Sequence, residues 1–359
     1  MSTLNLPRLQ RLVRRALAGR AQDLDDVSAR RWTVCPPSEA VCPPALFPEG
    51  EMARIRGLSP YRNLAAEEAL IRGGRMALGP TLGYTLPRAH ITDNHVYCGA
   101  FEWQVGAGAV AAHGPAGMWL PPAPREAALR QATLVSTPTG TQYFGCLLLD
   151  DLVLEPLGAD PADNISMLSR PSGHEADYRA LLGLGPKRVV RRTVVDELTV
   201  FVDPAWNASK AERYRQLRAA LRQQVPQPAG TQRLYIRRGL SGQRRVMANE
   251  AELEAVLQRH GFTVVDPMQL SAADVARLSL GAQVVVSIEG SQISHAQYTM
   301  ADDATLIVLQ PPDRFCMQYK EFTDALGMRC GFLVCEAGEA GFTVDIDALL
   351  RLLERVPAR

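Results

Sequence analysis

The sequence predicts an α/β protein whose C-terminal part is a doubly wound parallel sheet. Between about residues 230 and 340, short apolar runs alternate with amphipathic runs of roughly ten to fourteen residues. The run QVVVSI (283–288) is almost wholly apolar, as in strands that are buried on both faces of a parallel sheet. Strands that alternate with helices in this way form a sheet that is covered by helices on both faces.

The predicted elements of this part follow one another in a regular order. Strands are expected at 233–238, 262–267, 283–288, 305–311 and 330–336. Helices are expected at 249–261, 271–281, 314–327 and 344–356, with a further short one after residue 288. Ser271 and Asp274 form a capping signal for the second of these helices, and Gly261 ends the first.

The N-terminal part is less regular and is rich in Pro and Gly. Short strands and turns are expected over 91–111, and helices over about 142–157 and 203–225. The predicted division is an N-terminal domain over 1–200 with an irregular extension over 1–80, a connecting helix and linker over 201–230, and a sheet domain over 231–343. The closing helix lies within 344–359.

The composition is that of a globular protein large enough for two domains. The chain has 359 residues, of which 47% are hydrophobic and 21% are charged, and its net charge of +1 gives no indication of nucleic-acid binding. Seven cysteines at irregular spacings indicate neither a disulfide framework nor a zinc site. Reduced thiols and a cytoplasmic location are therefore expected.

The first twenty residues form a basic segment. They contain five arginines and no acidic residue, with leucines and a valine between the arginines. The pattern is consistent with an amphipathic helix that makes peripheral contact with the inner face of the cytoplasmic membrane. The simpler alternative is a solvated surface helix that binds no lipid.

A basic loop is expected beyond the carboxyl end of a strand, where open α/β sheets bind their ligands. Arg237 and Arg238 end the strand, Arg245 lies in the loop beyond it, and Asn249 and Glu250 open the next helix. Guanidinium groups bind phosphate oxygens through paired hydrogen bonds, so this loop is a candidate phosphate site. The alternative is a solvated loop in which Asn249 is only a helix cap.

A second polar stretch is the corner SIEGSQISH (287–295). Here Glu289, Gly290, Ser291, Gln292 and His295 follow a buried strand. Gly290 would let the backbone approach a ligand closely, and the N–H groups of the following helix would face an anion. Two of the polar side chains would add hydrogen bonds, and the histidine would reach a phosphate or a hydroxyl group. The alternative is a capped corner with a hydrogen-bonded core histidine.

Two acidic residues in the predicted helix at 142–157 are candidate catalytic groups. Leu147 and Leu148 mark the apolar face of this helix, and the helical period directs Asp151 into that face with Asp150 at its edge. A buried carboxylate is costly unless it is paired or functional. The alternative to a catalytic role is a structural ion pair with an arginine.

The motifs, and the order in which they follow one another along the chain, resemble those of glycosyltransferase family 61. Many bacterial members of this family take part in capsular or surface polysaccharide synthesis. The similarity covers about 140–345. The family pattern R-x-x-x-N-E-x-E-L reads here from Arg245 to Leu253, and G-F-x-V-V-x-P reads from Gly261 to Pro267. The family corner H-G-A-G-L-[ST]-[NH] corresponds to 289–295.

The chain departs from the family pattern at several positions. Glu289 stands where the family usually has His, and Ser291 and Gln292 replace Ala and Gly. In the helix at 142–157, whose family pattern is roughly N-Y-x-H-W-L-x-[DE]-x-L-P, Cys146 replaces His and Val153 replaces Pro. The corner is therefore better preserved than the earlier helix.

The resemblance implies a GT-B fold, in which two Rossmann-like domains face a cleft. It also makes the closing helix, within 344–359, a candidate to return to the N-terminal domain. The N-terminal domain would bind the acceptor, a glycan or lipid-linked glycan, and 231–343 would bind a nucleotide sugar, usually a UDP sugar. It also implies an inverting transfer without an essential metal, and no other cofactor is expected. Asp345 and Asp347 form a D-x-D pattern, but they open the last helix, where acidic residues serve as caps.

The roles that the resemblance implies are as follows. The arginines of the loop and residues 289–295 would bind the diphosphate, and Glu250 would hold a ribose hydroxyl. Asp150 or Asp151 would be the base that takes the acceptor proton, with Glu289 or His295 as the fallback.

The sequence is also compatible with two other functions. The altered helix motivates a non-catalytic protein that binds a nucleotide sugar or acts as a scaffold in polysaccharide assembly. A GT-B epimerase that acts on the nucleotide sugar itself would form sugar isomers without any acceptor.

Overall fold

The computed structural model describes Val13 and residues 21–60, 62–92, 94–106, 126–226, 233–239, 245–339 and 341–357. The basic segment predicted over the first twenty residues therefore lies outside the described residues, apart from Val13. None of the described helices combines the length and the apolar character that a membrane crossing requires.

The described residues form sixteen strands. They are β1 Arg30–Cys35, β2 Ser38–Cys42, β3 Gly74–Leu78, β4 Thr81–Thr92, β5 His95–Cys98, β6 Phe101–Gln104, β7 Leu129–Leu134, β8 Asn164–Ile165, β9 Arg192–Val202, β10 Arg233–Ile236, β11 Thr263–Val265, β12 Val284–Ile288, β13 Thr305–Gln310, β14 Arg329–Val334, β15 Glu336–Gly338 and β16 Gly341–Thr343.

Nine α-helices are named here, and in the sequence they are interspersed among these strands. They are α1 Leu24–Val27, α2 Leu64–Arg72, α3 Glu175–Leu181, α4 Ala208–Gln224, α5 Glu250–Arg259, α6 Ala272–Ser279, α7 Ile293–Gln297, α8 Gln318–Ala325 and α9 Ile346–Glu354. Short 3₁₀ turns occur at Glu51–Arg54 and Pro161–Asp163.

The predicted helix at 142–157 is present, but it is irregular. It begins as Phe144–Cys146, widens to a π turn at Leu147–Asp151, continues as Leu152–Leu154 and ends in a 3₁₀ turn at Glu155–Leu157. The wide turn contains both candidate catalytic aspartates. Such π turns are often found at functional sites.

The chain divides into two compact units. The first comprises residues 1–37, 79–179 and 184–213, and the second comprises 38–78, 180–183 and 214–359. This division differs from the predicted one, because 38–78 joins the C-terminal sheet. Leu46 forms backbone hydrogen bonds with Cys330 and Phe332, both 2.9 Å long, and the buried carboxylate of Glu67 accepts a hydrogen bond from the N–H of Met317 (2.6 Å). Backbone pairing over such sequence distances leaves no local signal.

The sheet of the first unit has the order β6-β5-β4-β9-β7-β8, with β1 paired to β4. The pairs among β1, β4, β5, β6 and β9 are antiparallel, and β7 pairs in parallel with β8 and β9. A Rossmann-like sheet is parallel and has a helix in each crossover. The expectation of a Rossmann-like N-terminal domain is therefore wrong for this unit, whose long β4 and β9 pair directly.

The sheet of the second unit is parallel, with the order β11-β10-β12-β13-β14. Both faces are covered. On β14, Leu333 belongs to one apolar cluster with residues of α5 and α9, whereas Phe332 and Val334 belong to another with residues of α2. The observed sheet agrees with the α/β class and with the continuous apolar strands predicted here.

The last helix, α9, has a side-chain cap at its N-terminus and packs within the second unit. Asp345 accepts a hydrogen bond from the N–H of Ala348 (2.9 Å), which confirms its role as a cap. Leu349 and Leu352 lie in the core cluster that includes Val286 of β12. The helix thus packs on the parallel sheet, and Arg355, directly after it, donates to the carbonyl oxygen of Phe47 (2.8 Å) in the segment 38–78 of the same unit.

We expect Leu349→Ala to destabilise the second unit by about 2–5 kcal/mol, since it removes a fully buried side chain and leaves a cavity. The urea midpoint of unfolding measures the effect. The matched control is Arg351→Ala on the exposed face of α9, which should shift the midpoint little. Equal midpoints for the two variants would contradict the packing of α9 on this sheet.

Candidate functional site

The strand order of the second unit reverses between β10 and β12. From β10 the chain places β11 on one side and then β12 on the other. In open parallel sheets, the crevice beyond the carboxyl ends of the strands at such a switch point is the usual place for a ligand. Arg238 follows β10 and Glu289 follows β12, so both lie at this crevice.

Three guanidinium groups lie around Glu289, two of them near its carboxylate and one at its backbone carbonyl oxygen. We call Arg238, Arg245 and Arg314 the three-arginine cluster. Arg245 Nη1 lies 3.1 Å from Glu289 Oε2 and donates to the Glu289 carbonyl oxygen (3.0 Å). Arg238 Nη1 donates to the same carbonyl oxygen (3.2 Å). Arg314 Nε, from the loop after β13, lies 4.0 Å from Glu289 Oε2.

The cluster carries more positive than negative charge. Glu289 is 4% exposed and Arg238 is 8% exposed, so water screens these charges weakly. Burial, and after it the charge of Arg245, lowers the pKa of Arg238 to about 10. Buried Arg245 Nε also has no hydrogen-bond acceptor among the described residues. An arrangement of this kind favours an added anion, which would supply both charge and acceptors.

The glycine corner is built around these arginines. Gly290 has φ +153°, and a Cβ atom there would lie 1.6 Å from Arg238 Nη1. The hydroxyl of Tyr319 donates to the Gly290 carbonyl oxygen (2.6 Å). Gln292 Oε1 accepts from Arg238 (3.0 Å), and its Nε2 donates to Ser287 Oγ (3.0 Å). Glycine is needed here because any side chain would displace the guanidinium group.

The two other predicted residues of the corner, Ser291 and His295, differ in exposure. Ser291 is partly exposed in the turn, and His295 is 3% exposed on α7. Because α7 is a single short helix of five residues, Ile293–Gln297, we assign the attraction for an anion to the arginines and not to the helix dipole.

The structure separates Arg237 from its neighbour Arg238. Arg237 Nε donates to Glu254 Oε1 (2.6 Å), and its Nη1 lies 3.4 Å from Asp266 Oδ2. The hydrogen bond to Glu254 raises the pKa of Arg237. Arg237 is thus engaged by α5 and by the loop after β11, and Arg245 rather than Arg237 neutralises Glu289.

Asn249 and Glu250 make contacts that stabilise the start of α5. Asn249 Nδ2 donates to the Val344 carbonyl oxygen (2.9 Å), and its Oδ1 accepts from the Val344 N–H (3.0 Å). Glu250 Oε1 accepts from the hydroxyl of Tyr235 (2.8 Å). Burial raises the pKa of Glu250 above its ordinary value. Asn249 therefore anchors the segment before α9 and does not cap α5 with its side chain.

In the first unit, the π turn gives Asp150 and Asp151 different surroundings. Asp150 is partly exposed, and its Oδ1 accepts from Nζ of buried Lys210 (2.7 Å). Asp151 is 2% exposed, which confirms the inward orientation predicted from the helical period. Its Oδ1 accepts from the N–H and the hydroxyl of Thr137, both at 2.8 Å. Burial raises the pKa of Asp151 well above its ordinary value, and the charge of Asp150 adds to this.

Three residues of these sites, Arg314, Tyr319 and Lys210, are not predicted from the sequence. Arg314 was assigned to a helix over 314–327, whereas α8 begins at Gln318 and leaves Arg314 in the loop after β13. An arginine four residues beyond the end of β13 was the available signal. Nothing in the local sequence indicated that Tyr319 would bond the glycine corner.

Comparison with known protein families identifies one match for this chain. The family model described as Glycosyltransferase 61 matches residues 85–308, which is more than half of the chain. The matched range contains Asp150, Arg238, Arg245 and Glu289, and it ends before Arg314. A search of curated proteins found no match. The chain therefore belongs to glycosyltransferase family 61, and the activity that this family implies is the transfer of a sugar.

Proposed function

We propose that the protein is an inverting glycosyltransferase that moves a sugar from a nucleotide donor, with UDP as the leading candidate, to a glycan or lipid-linked glycan acceptor. The observation that carries the proposal is the three-arginine cluster around Glu289 at the switch point of the parallel sheet. Surface or capsular polysaccharide synthesis at the inner face of the cytoplasmic membrane is the proposed setting.

A nucleoside diphosphate fits the charge of this site. The cluster brings three guanidinium groups together with the single carboxylate of Glu289, so it has a formal excess of two positive charges, close to the charge of a departing diphosphate group. As the bond from the sugar to the diphosphate breaks, negative charge develops on the leaving oxygen. Donors fixed in a poorly solvated site stabilise that charge more strongly than water does. In this proposal the arginines supply the countercharge.

Asp150 is the better candidate for the base. Asp151 is buried, and Thr137 donates two hydrogen bonds to one of its oxygens. An acceptor hydroxyl would reach it only after the turn opened. Asp150 is partly exposed, and Lys210, which is held over the ring of Trp206 at 4.9 Å, fixes its position. We therefore assign proton removal to Asp150 and a positioning role to Asp151.

A transfer assay tests the proposal. The protein is incubated with a panel of nucleotide sugars, with and without glycan acceptors, and the anomeric configuration of the product is read by NMR. We expect an acceptor-dependent product of inverted configuration. Donor binding without turnover would favour the non-catalytic alternative, and sugar isomers formed without an acceptor would favour the epimerase.

Removal of a cluster arginine should weaken the diphosphate site. We expect Arg245→Ala and Arg314→Ala each to raise the Kd for UDP by about 10- to 100-fold, since each loses a charge-assisted contact. Isothermal titration calorimetry measures the effect, and Arg259→Ala, on the exposed face of α5, is the control. Arginine variants that bind UDP as tightly as the control would remove the cluster from the donor site.

Asp150→Asn should lower kcat by about 10²- to 10⁴-fold, because an amide cannot take up the acceptor proton. The Kd for the donor should stay within about twofold of the unchanged protein, since Asp150 has no assigned donor contact. Asp196→Asn, an exposed change on β9 in the same unit, is the control. Turnover by Asp150→Asn at the control rate would exclude Asp150 as the base.

Asp151 should make stability depend on pH. Its folded-state pKa is raised well above 3.8, so its favourable contribution is present below about pH 4 and is lost as the pH rises through the folded pKa. Asp151→Asn stays neutral, and its urea midpoint relative to the unchanged protein should therefore increase from pH 4 towards pH 8. Asp196→Asn should show no such trend. A difference that is constant with pH would show that Asp151 titrates normally.

A further inference from the structure

A large apolar side chain is exposed beside the three-arginine cluster. Among the described residues of the second unit, the exposed large hydrophobic side chains are Val41, Leu64 and Met268. Met268, which is 56% exposed, is the one that follows a strand of the parallel sheet, three residues after the end of β11. It therefore lies at the same edge of the sheet as the cluster.

Met268 is held against the arginine loop. Its N–H donates to Asp266 Oδ1 (2.9 Å), and the other carboxylate oxygen of Asp266 lies 3.4 Å from Arg237. Gly239 has φ +69°, and a Cβ atom at Gly239 would lie 2.8 Å from Met268 Cγ. The methionine side chain thus packs on the backbone of the residue that directly follows Arg238.

The spacing of the strands suits a nucleotide. β11 neighbours β10, and β10 neighbours β12, which carries Glu289. Two strand spacings place the loops after β11 and β12 about 10 Å apart. A ribose separates a nucleobase from its diphosphate by a comparable distance. A nucleobase above Met268 would therefore bring the diphosphate to the cluster.

The loop after β13, on the other side of β12 from β10, offers no comparable surface. The apolar residues that follow β13 are Phe315, Cys316 and Met317, and all three are at most 2% exposed. A nucleobase on that side would meet no exposed apolar side chain among them. Thioethers, in contrast, make favourable contacts with aromatic rings.

We propose that Met268 is the residue on which the donor's nucleobase packs, so that the nucleoside lies beyond β11, the diphosphate beyond β12 and the sugar towards β13. This inference rests on the proposed function. The contact uses the face of the ring and not its hydrogen-bonding edge. Met268 therefore adds affinity for nucleosides in general, and other groups select the base.

The experiment compares a ligand that contains a nucleoside with one that contains only the diphosphate. The first is the nucleoside diphosphate that binds most tightly among UDP, GDP, ADP, CDP and dTDP, and the second is inorganic pyrophosphate. Each is titrated by calorimetry into the full chain and into its Met268→Ala, Met268→Leu and Val41→Ala variants. Val41, which is 80% exposed in the same unit, is the matched control.

We expect Met268→Ala to raise the Kd for the nucleoside diphosphate about three- to thirtyfold, through loss of the thioether–ring contact and of apolar contact area. The Kd for pyrophosphate should stay within about twofold, as should both values for Val41→Ala. Met268→Leu, which keeps an apolar side chain, should recover most of the affinity.

Equal losses of both ligands in Met268→Ala, or no loss of either, would overturn the role of Met268 and leave the proposed function intact. If the unchanged protein bound no nucleoside diphosphate, the proposed function would fail, and this inference with it. If it bound pyrophosphate alone, the anion site would stand and the nucleobase contact would be refuted.

Discussion

The site depends on one electrostatic constraint, the confinement of three guanidinium groups around Glu289 at the edge of a parallel sheet. Arg238 and Arg245 are nearly buried, and burial, followed by repulsion from Arg245, lowers the pKa of Arg238. The glycine corner accommodates this arrangement, because Gly290 leaves room for the guanidinium group of Arg238 and offers its carbonyl oxygen to Tyr319. A bound diphosphate would relieve the repulsion, which connects the fold of the corner with sugar transfer.

Glu289 has a clear place within this constraint. The resemblance to glycosyltransferase family 61 leads one to expect a histidine at this position, and a carboxylate beside a phosphate site looks unfavourable in isolation. In the structure its carboxylate pairs with Arg245 and lies near Arg314, while its carbonyl oxygen accepts from Arg238. Removing one partner of a buried ion pair leaves the other uncompensated. Glu289 therefore holds the arginines together, and the net charge at the crevice still favours an anion.

The two aspartates of the π turn show how a small change in helical geometry separates two roles. Neighbouring residues of the same chemistry receive different surroundings, since Lys210 pairs with one and Thr137 encloses the other. Burial keeps a proton on Asp151 up to a higher pH than is usual, whereas Asp150 keeps contact with solvent. In the proposed reaction, that difference assigns proton transfer to Asp150 and the shape of the turn to Asp151.

The sequence by itself determined the elements of the C-terminal sheet, the cap at Asp345 and the inward position of Asp151, because each follows from the periodicity or chemistry of neighbouring residues. Only the tertiary structure decided that Arg237 and Arg238 have different partners, that Arg314 joins the cluster and that residues 38–78 complete the second unit. It also replaced the expected Rossmann-like N-terminal domain with a mostly antiparallel sheet. These features depend on contacts between residues far apart in the chain, and local patterns do not encode which distant strands and side chains meet.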